Sequence, residues 1–323
     1  MRRLAALSIL TQDVLTSSEI EGEILDPEQV RSSIALRLGI DIGGLKQADR
    51  NVEGIVEMML DATQGFQKRL TDERLFAWHG ALFATGRSGM MKIRVGSWRD
   101  DKAGPMQVVS DPIGKEKVHF RAPPAERLDK EMGEFLHWFN NNDEIDLVLK
   151  AGIAHLWFVT IHPFDDGNGR IARAIADMLL ARSEDSLQRF YSMSAQIGYE
   201  RNVYYEKLER SQKGALDITD WLDWFLACLS RAIDGARSTL SSVIEKAHFW
   251  QRHAGAAINE RQKKMLNLLF DDFEGKLTSS KWAALTKCSQ DTAYRDILDL
   301  VERNILKKNP GGGRSTSYDL AKG

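Results

Sequence analysis

Two predicted helices meet at a short polar run near the middle of the chain. The first helix, GIAHLWFVTI (residues 152–161), is apolar almost throughout, and the second, RIARAIADMLLARS (residues 170–183), repeats apolar residues at three- and four-residue spacing. HPFDDGNGR (residues 162–170) joins them, and Pro163 ends the first helix because it disfavours helical geometry in the residue before it. The pattern therefore predicts two packed helices connected by a turn that is crowded with polar side chains.

The polar run carries the residue types of a phosphate site. A glycine-rich turn at residues 167–169 aims backbone N–H groups and the positive end of the following helix at one point, which suits an anion. Arg170 and Arg173 share a face of that helix, and Asp166 could hold Mg²⁺ beside a phosphate. His162 can remove a proton from a hydroxyl near neutral pH. Together they predict a site that binds a polyphosphate with Mg²⁺ and activates a nucleophile.

Each part of this turn also has an ordinary structural explanation. A Gly-x-Gly-Arg turn before a helix can be simple capping, and a single histidine is more often structural than catalytic. The combination of all these residue types at one turn favours the functional interpretation.

Helical periodicity dominates the rest of the 323 residues, which are enough for more than one domain. Residues 89–120 differ, because the short alternating segments KIRVGSW, PMQVVS and KVHF predict one or two β-hairpins. After residue 255 the pattern gives three helices and then two short strands. We therefore expect an N-terminal helical region at 1–85, a core at 86–255 and a C-terminal module at 256–323.

Composition excludes some classes of protein. The net charge of −2 gives no overall positive field that would mark a nucleic-acid or membrane binder. No apolar run approaches the roughly 20 residues that cross a bilayer, so we expect no membrane segment and a cytoplasmic location. The only two cysteines, Cys228 and Cys288, support neither a disulfide framework nor a cysteine zinc site.

The segment HPFDDGNGRIAR (residues 162–173) resembles the signature of the Fic-domain family (filamentation induced by cAMP) at every defined position, His-Pro-Phe-x-(Asp/Glu)-Gly-Asn-Gly-Arg-x-x-Arg. The resemblance implies an all-α fold, a Fic helical bundle with a β-hairpin flap, and a protein adenylyltransferase that moves AMP from ATP to a Ser, Thr or Tyr hydroxyl of a target protein. Two arginines favour a triphosphate donor, although some relatives transfer other phosphate-containing groups.

The same resemblance implies a role for each residue of the signature. His162 would be the general base and Asp166 the ligand of Mg²⁺. The backbone amides around Gly167, Asn168 and Gly169 would form the anion hole for the phosphates of ATP. Arg170 would hold the β-phosphate, and Arg173 would hold the γ-phosphate.

A second motif lies near the N-terminus, in SSEIEG (residues 17–22). Ser18 and Glu21 have the spacing of a capping box that starts a helix. Ser17, Glu21 and Gly22 also resemble the Fic inhibitory motif, (Ser/Thr)-x-x-x-Glu-(Gly/Asn). That resemblance implies autoinhibition, with Glu21 pairing with Arg173 in the space of the γ-phosphate. Some relatives use the same glutamate to position a water that removes AMP.

Two further groups of residues follow from the resemblance. The flap would fall within residues 95–110 and bind an extended target segment by strand addition, through Gly96, Val108 and Val109. Tyr204 and Tyr205 lie where relatives often place an aromatic residue near the adenine, and a core role for one of them is equally compatible with the sequence.

The C-terminal module resembles a winged helix-turn-helix, with SQDTAYRDILDLVERN as its recognition helix, Ser289 as that helix's N-cap and PGGGRST as its wing. Residues 261–323 hold 12 Lys/Arg against 8 Asp/Glu, so DNA binding is one interpretation. The basic candidates are Arg295, Lys307, Lys308 and Arg314. The acidic side chains of the predicted recognition helix favour instead a contact with protein, including a homodimer.

Two functions from different classes therefore remain open. The first is an autoinhibited adenylyltransferase, and the second is a transcriptional regulator or scaffold whose Fic core only senses nucleotide. The histidine of the signature favours the enzyme, because a sensor does not need a base. The bacterial subgroup that shares the C-terminal module usually has extra residues before the inhibitory helix, so we also expect a short or clipped N-terminus.

Overall fold

The computed structural model describes residues 2–42, 44–102, 104–110, 117–141, 144–270, 273, 275–310 and 316–321. Its contacts divide the chain into two units, Arg2–Arg237 and Ser238–Gly323. Both units are mainly helical, which confirms the predicted fold class.

The first unit contains nine helices and the start of a tenth within its described residues. They are α1 (Arg2–Ile20), α2 (Pro27–Arg37), α3 (Arg50–Gln64), α4 (Asp72–Leu82), α5 (Leu128–Asn140), α6 (Leu147–Ile161), α7 (Asn168–Glu184), α8 (Met193–Tyr199), α9 (Arg201–Lys213) and α10 (Thr219–Arg252). No helix in the described ranges is both long and apolar enough to span a bilayer.

The helix pair that the sequence predicts forms the centre of this unit. Asp146 caps the N-terminus of helix α6, and its carboxylate accepts hydrogen bonds from two free N–H groups of the first turn. Helix α7 is buried on nearly every side, as expected for a helix that other helices surround. Helices α3 and α4 pack on α7, and α1 packs on α2 and α8. The turn between α6 and α7 is therefore held by the best-packed part of the unit.

Two antiparallel hairpins follow α4. One pairs β1 (Arg87–Ser88) with β2 (Met91–Lys92), and the other pairs β3 (Gln107–Ser110) with β4 (Lys117–Arg121). The prediction of one or two β-hairpins in this region is confirmed, and the second of them begins within the predicted flap range of 95–110. Val108 and Val109 lie in β3, whereas Gly96 lies outside both hairpins and donates its N–H to His79 of α4. Target binding by these three residues stays a prediction.

The second unit has a core of its own, built around Trp282 and the apolar face of the last helix. It contains the end of α10, then α11 (Glu260–Phe270), α12 (Ser279–Thr286), α13 (Gln290–Glu302), β5 (Leu306–Lys308) and β6 (Tyr318–Leu320). The predicted three helices and two strands are all present, and Ser289 caps α13 as predicted. Residues 311–315 of the predicted wing, including Arg314, lie outside the described residues.

A close contact between α3 and α4 gives a test of this packing. A Cβ added to Gly54 would lie 1.9 Å from the Ala81 carbonyl oxygen, and a backbone atom cannot move away as a flexible side chain can. We expect Gly54→Ala to destabilise the protein by about 2 kcal/mol or more. Gly80→Ala is the control, since nothing lies within 4 Å of its added Cβ, and it should stabilise α4 by up to about 1 kcal/mol. Thermal unfolding measures both, and equal effects would contradict the packing described.

Candidate active site

His162 ends helix α6 in a left-handed conformation, with φ 53°. Its backbone N–H donates to the Phe158 carbonyl at 3.0 Å. Its ring Nδ1 lies 3.2 Å from the Val159 carbonyl oxygen, which can only accept, so Nδ1 carries the proton. Burial lowers the pKa of His162 to about 4, so the ring is neutral at pH 7. Its Nε2 therefore offers a lone pair to an incoming proton.

The turn after His162 is held by one of its own side chains. The Asn168 Oδ1 accepts from the Phe164 N–H at 3.0 Å, and the Asn168 Nδ2 donates to the Phe164 carbonyl at 2.8 Å. Phe164 is fully buried, and the ring of His79 stacks on it with centroids 4.2 Å apart. Gly167 has φ 81°, and a Cβ there would lie 2.8 Å from the Phe83 ring. The sequence assigned to Asn168 only a backbone role, and its side chain holds the turn closed.

Asp166 lies in this turn, directly before Gly167. One carboxylate oxygen accepts from the Gly167 N–H at 2.6 Å, and the other accepts from the hydroxyl of Ser88 in the first hairpin. No cluster of three or more His, Cys, Asp or Glu in the described ranges could hold a metal ion. Asp166 fits a Mg²⁺ ion that takes its other ligands from phosphates and water, which is common for this cation.

The two arginines of the turn already have carboxylate partners. Arg170 donates through Nη1 to Glu23 Oε2 at 2.6 Å. Arg173 donates through Nη2 to Glu21 Oε1 at 2.9 Å and to the Ser17 carbonyl at 2.7 Å, and through Nε to the Ser17 hydroxyl at 3.0 Å. The Nε of Arg170 and the Nη1 of Arg173 are buried, and neither has a hydrogen-bond partner within the described chain. These unpaired donors mark an anion site with capacity left.

The end of α1 delivers both carboxylates to this site. The Glu23 N–H donates to the Ser18 carbonyl at 3.0 Å and the Gly22 N–H to the Glu19 carbonyl at 2.9 Å, which is a Schellman motif. The motif needs a left-handed residue, and Gly22 supplies it with φ 83°. The alternative of a capping box at Ser18 is therefore wrong, since α1 ends here rather than begins.

The Glu21 carboxylate sits on the first turn of α7, where an anion would bind. A Cβ added to Gly169 would lie 2.2 Å from Glu21 Oε1, so only glycine leaves room for this carboxylate. The Arg173 guanidinium is buried, and burial disfavours its charged form. The Glu21 carboxylate beside it has the opposite effect, and the pKa of Arg173 is raised above its usual value. The pairing expected between Glu21 and Arg173 is present. The sequence did not lead us to predict Glu23 as a partner of Arg170, although its position one residue after Gly22 places a second carboxylate beside Glu21.

The two tyrosines lie behind this pair. Tyr204 is buried, and its hydroxyl is 2.9 Å from His155 Nε2, so it has the core position that the sequence left open. Tyr205 is partly exposed, and its hydroxyl donates to the Ile20 carbonyl at the end of α1 at 3.3 Å. A contact of Tyr205 with adenine stays a prediction.

A buried polar cluster fixes the middle of α1 to the core. Asp13 of α1 accepts from the Ser192 hydroxyl and lies 3.5 Å from the Arg189 guanidinium. Arg189 also donates to Asp177 of α7 at 2.6 Å. Burial raises the pKa of Asp177 to about 8, which outweighs the opposing effect of Arg189.

This cluster predicts a stability that falls as pH rises. The pKa of Asp177 is about 8 in the folded protein against an ordinary value of 3.8, so between these values the folded state holds a proton that the unfolded state has lost. The contribution of Asp177 to stability should then decrease by up to about 1.4 kcal/mol per pH unit over that window.

Asp177→Asn should remove most of this dependence, since the amide oxygen still accepts from Arg189 and cannot ionise. Asp185→Asn, at the exposed end of the same helix, is the control and should leave the slope unchanged. Unfolding by urea at pH 5, 6, 7 and 8 measures the slope. The buried histidines, whose pKa values are lowered, contribute the opposite slope below about pH 6.5, so the decisive comparison is between wild type and Asp177→Asn. Equal slopes for these two proteins would exclude a protonated Asp177.

Comparisons with known proteins match this geometry. Residues 69–180 match the family model described as the Fic/DOC family, and residues 1–40 match a domain of unknown function, DUF4172. The chain is 35% identical over 122 residues to a protein named protein adenylyltransferase Fic from Nematostella vectensis, which covers 36% of this chain and 26% of that protein. It is 30% identical over 103 residues to a probable protein adenylyltransferase from Aquifex aeolicus, covering 32% of this chain and 30% of that protein. The chain thus spans about a quarter to a third of these relatives.

Solved structures show the same fold. A Fic family protein from Desulfovibrio desulfuricans aligns over 100% of this chain and 88% of its own, with a TM-score of 0.53 at 23% identity. A Fic domain-containing signalling protein from Bacteroides thetaiotaomicron covers 71% of this chain and 85% of its own, with a TM-score of 0.52 at 20% identity.

Proposed function

We propose that the Fic/DOC family domain contained in this chain is a protein adenylyltransferase, which transfers AMP from ATP to a Ser, Thr or Tyr hydroxyl of a protein target. One observation carries the proposal. The neutral His162 stands at one end of the α6–α7 turn, and two buried arginines with unpaired N–H groups stand at the other. The matched relatives that are named adenylyltransferases support the same reaction.

The reaction uses these groups in a definite order. His162 Nε2 accepts the proton of the target hydroxyl, whose oxygen bonds to the α-phosphorus of ATP. The bond from that phosphorus to the bridging oxygen breaks, and pyrophosphate leaves with the electron pair. Arg170 and Arg173 hold the β- and γ-phosphates, and Asp166 would hold Mg²⁺, which neutralises phosphate charge. The protein contributes position and charge stabilisation.

The target would reach the site along the second hairpin. Strand β3 carries the exposed Val109, and its partner strand β4 carries the exposed Val118. A strand edge of this kind binds an extended peptide through backbone hydrogen bonds.

In the conformation described, α1 restrains this activity. Glu21 and a γ-phosphate are both anions that pair with Arg173, and only one of them fits beside Gly169. ATP can be bound productively only after the carboxylate leaves.

Transfer of label from ATP into protein tests the function. Glu21→Gly should increase incorporation by roughly ten- to a hundredfold, which corresponds to the loss of one charged hydrogen bond of about 1.5–3 kcal/mol. His162→Ala should reduce it by about 10²–10⁴ in either background. Purified protein and a cell lysate are incubated with labelled ATP, and incorporation is measured.

Glu19→Gly is the matched control, because Glu19 is exposed on the last turn of α1 and has no contact with Arg173. It should leave incorporation at the wild-type level, and melting curves confirm that each variant is folded. Label that persists without His162 would reject the enzyme and favour the nucleotide-sensing regulator.

Glu23 should act as a second restraint, through Arg170. The pair is partly exposed on the Glu23 side, so it is worth about 0.5–1 kcal/mol. In the Glu21→Gly background, Glu23→Gln should lower the KM for ATP about two- to fivefold, because Arg170 becomes free for the β-phosphate. Steady-state kinetics measure the change, and Glu28→Gln, an exposed glutamate of the same charge on α2, is the control. An unchanged KM would show that Glu23 does not compete with ATP.

We also propose that residues 261–323 of the second unit bind a partner. On α13 the acidic Asp296 is buried against Arg261, while Tyr294 and Leu298 are exposed. This face suits a protein surface, including a second copy of the chain. DNA binding would use the exposed Arg295, Lys307 and Lys308, and salt-dependent binding of the full chain to duplex DNA would support that alternative. Location in the cytoplasm stays a prediction.

A further inference from the structure

Arg99 is a fully buried arginine that contacts the backbone of the catalytic turn. Its backbone N–H donates to the Pro163 carbonyl at 2.9 Å. Its guanidinium donates through Nε to the His162 carbonyl at 2.8 Å and through Nη2 to the Pro123 carbonyl at 2.5 Å. Its side chain is 0% exposed. Two consecutive carbonyls of the turn are thus held by one residue.

The position of Arg99 is itself fixed from two sides. Asp101 accepts from Arg99 Nη1 at 2.7 Å, and its other oxygen accepts from the Ala125 N–H at 2.7 Å. The preceding residue, Trp98, packs against Phe164, with ring centroids 5.1 Å apart. The orientation of the planar guanidinium is fixed, because each of its three nitrogens donates to a different acceptor.

His162 needs such support for a physical reason. Its left-handed backbone is unusual for a residue with a side chain, and such conformations persist only where the surroundings hold them. Its carbonyl lies beyond the last turn of α6, where the helix offers no N–H partner, and Pro163 has no N–H to give. Without Arg99, this buried carbonyl would be left without its donor.

We propose that Arg99 is a positioning residue, which holds the His162 and Pro163 carbonyls so that Nδ1 stays on Val159 and Nε2 faces the target hydroxyl. The kinetic consequence rests on the proposed function. The ring geometry does not, because it is a property of the protein without substrate.

Two substitutions separate position from charge. Arg99→Gln removes the charge and the fork, and Arg99→Lys keeps the charge but replaces the fork by a single ammonium. If Arg99 acts by position, both variants lose function alike. If it acts only by charge, Arg99→Lys restores it.

The kinetic arm is measured in the Glu21→Gly background. We expect kcat to fall about 10- to 100-fold in both variants, since a small displacement of a reacting group has this effect, while the KM for ATP changes less than twofold. Arg94→Gln is the matched control, because Arg94 lies on the same segment with its guanidinium half exposed on Asp100 and Ser97. It should keep the parent kcat.

The spectroscopic arm uses the ¹⁵N shifts of the His162 ring, assigned with His162→Ala. The parent should show the Nδ1–H tautomer, and both Arg99 variants should show a mixture of tautomers. Asp101→Asn is the substitute if the Arg99 variants fail to fold. It leaves Arg99 in place with a weaker partner, and it should shift the tautomer in the same direction by a smaller amount.

Different outcomes reject different statements. A kcat within twofold of the parent, full rescue by lysine or an unchanged tautomer in the variants would overturn the role of Arg99. A parent that transfers no AMP would reject the proposed function, and the tautomer measurement would still decide whether Arg99 positions the ring.

Discussion

The site depends on one buried guanidinium. Arg173 is charged and almost inaccessible to water, so its donors need partners inside the protein, and an unpaired buried charge is strongly destabilising. Ser17 supplies a carbonyl and a hydroxyl as acceptors, and the positive charge of Arg173 still needs an anion beside it. The Glu21 carboxylate is that anion in this conformation. In the function that we propose, a phosphate of ATP would take the place of this carboxylate on Arg173.

The residues around Gly22 connect this exchange to local backbone geometry. A glycine in the left-handed region lets α1 end in a Schellman motif, and the motif turns the chain so that Glu21 and Glu23 approach the two arginines of α7. A residue with a Cβ at this position would be strained, so the glycine of the motif has a mechanical reason. The restraint involves two ion pairs from one turn rather than a single glutamate.

The sequence predicts the parts of the site that are local and misses those that are distant. The α6–α7 pair, the turn and the Glu21–Arg173 contact follow from periodicity and a specific motif. Arg99 could not be assigned in this way, because it stands in a segment that looks like a strand and its partner His162 lies 63 residues away. The same holds for Asp13 and Asp177, whose carboxyl groups meet at Arg189 only when α1 docks. VGSWR has an alternating pattern, yet it lies outside both hairpins, and the N–H of its Gly96 is taken by His79.

The packing of α1 limits how much of the helix would move if Glu21 left Arg173. Leu7, Val14 and Ile20 are each buried to 1% exposure, and burial of such side chains is worth about 1.5–3 kcal/mol each, more than one partly exposed ion pair. In the function that we propose, ATP would therefore displace the carboxylates without displacing the helix. The part that would move begins after Ile20, where the regular hydrogen bonds of α1 end and the turn at Gly22 begins. Ser17 lies before that part, so it would keep Arg173 in place while Glu21 leaves and a phosphate enters.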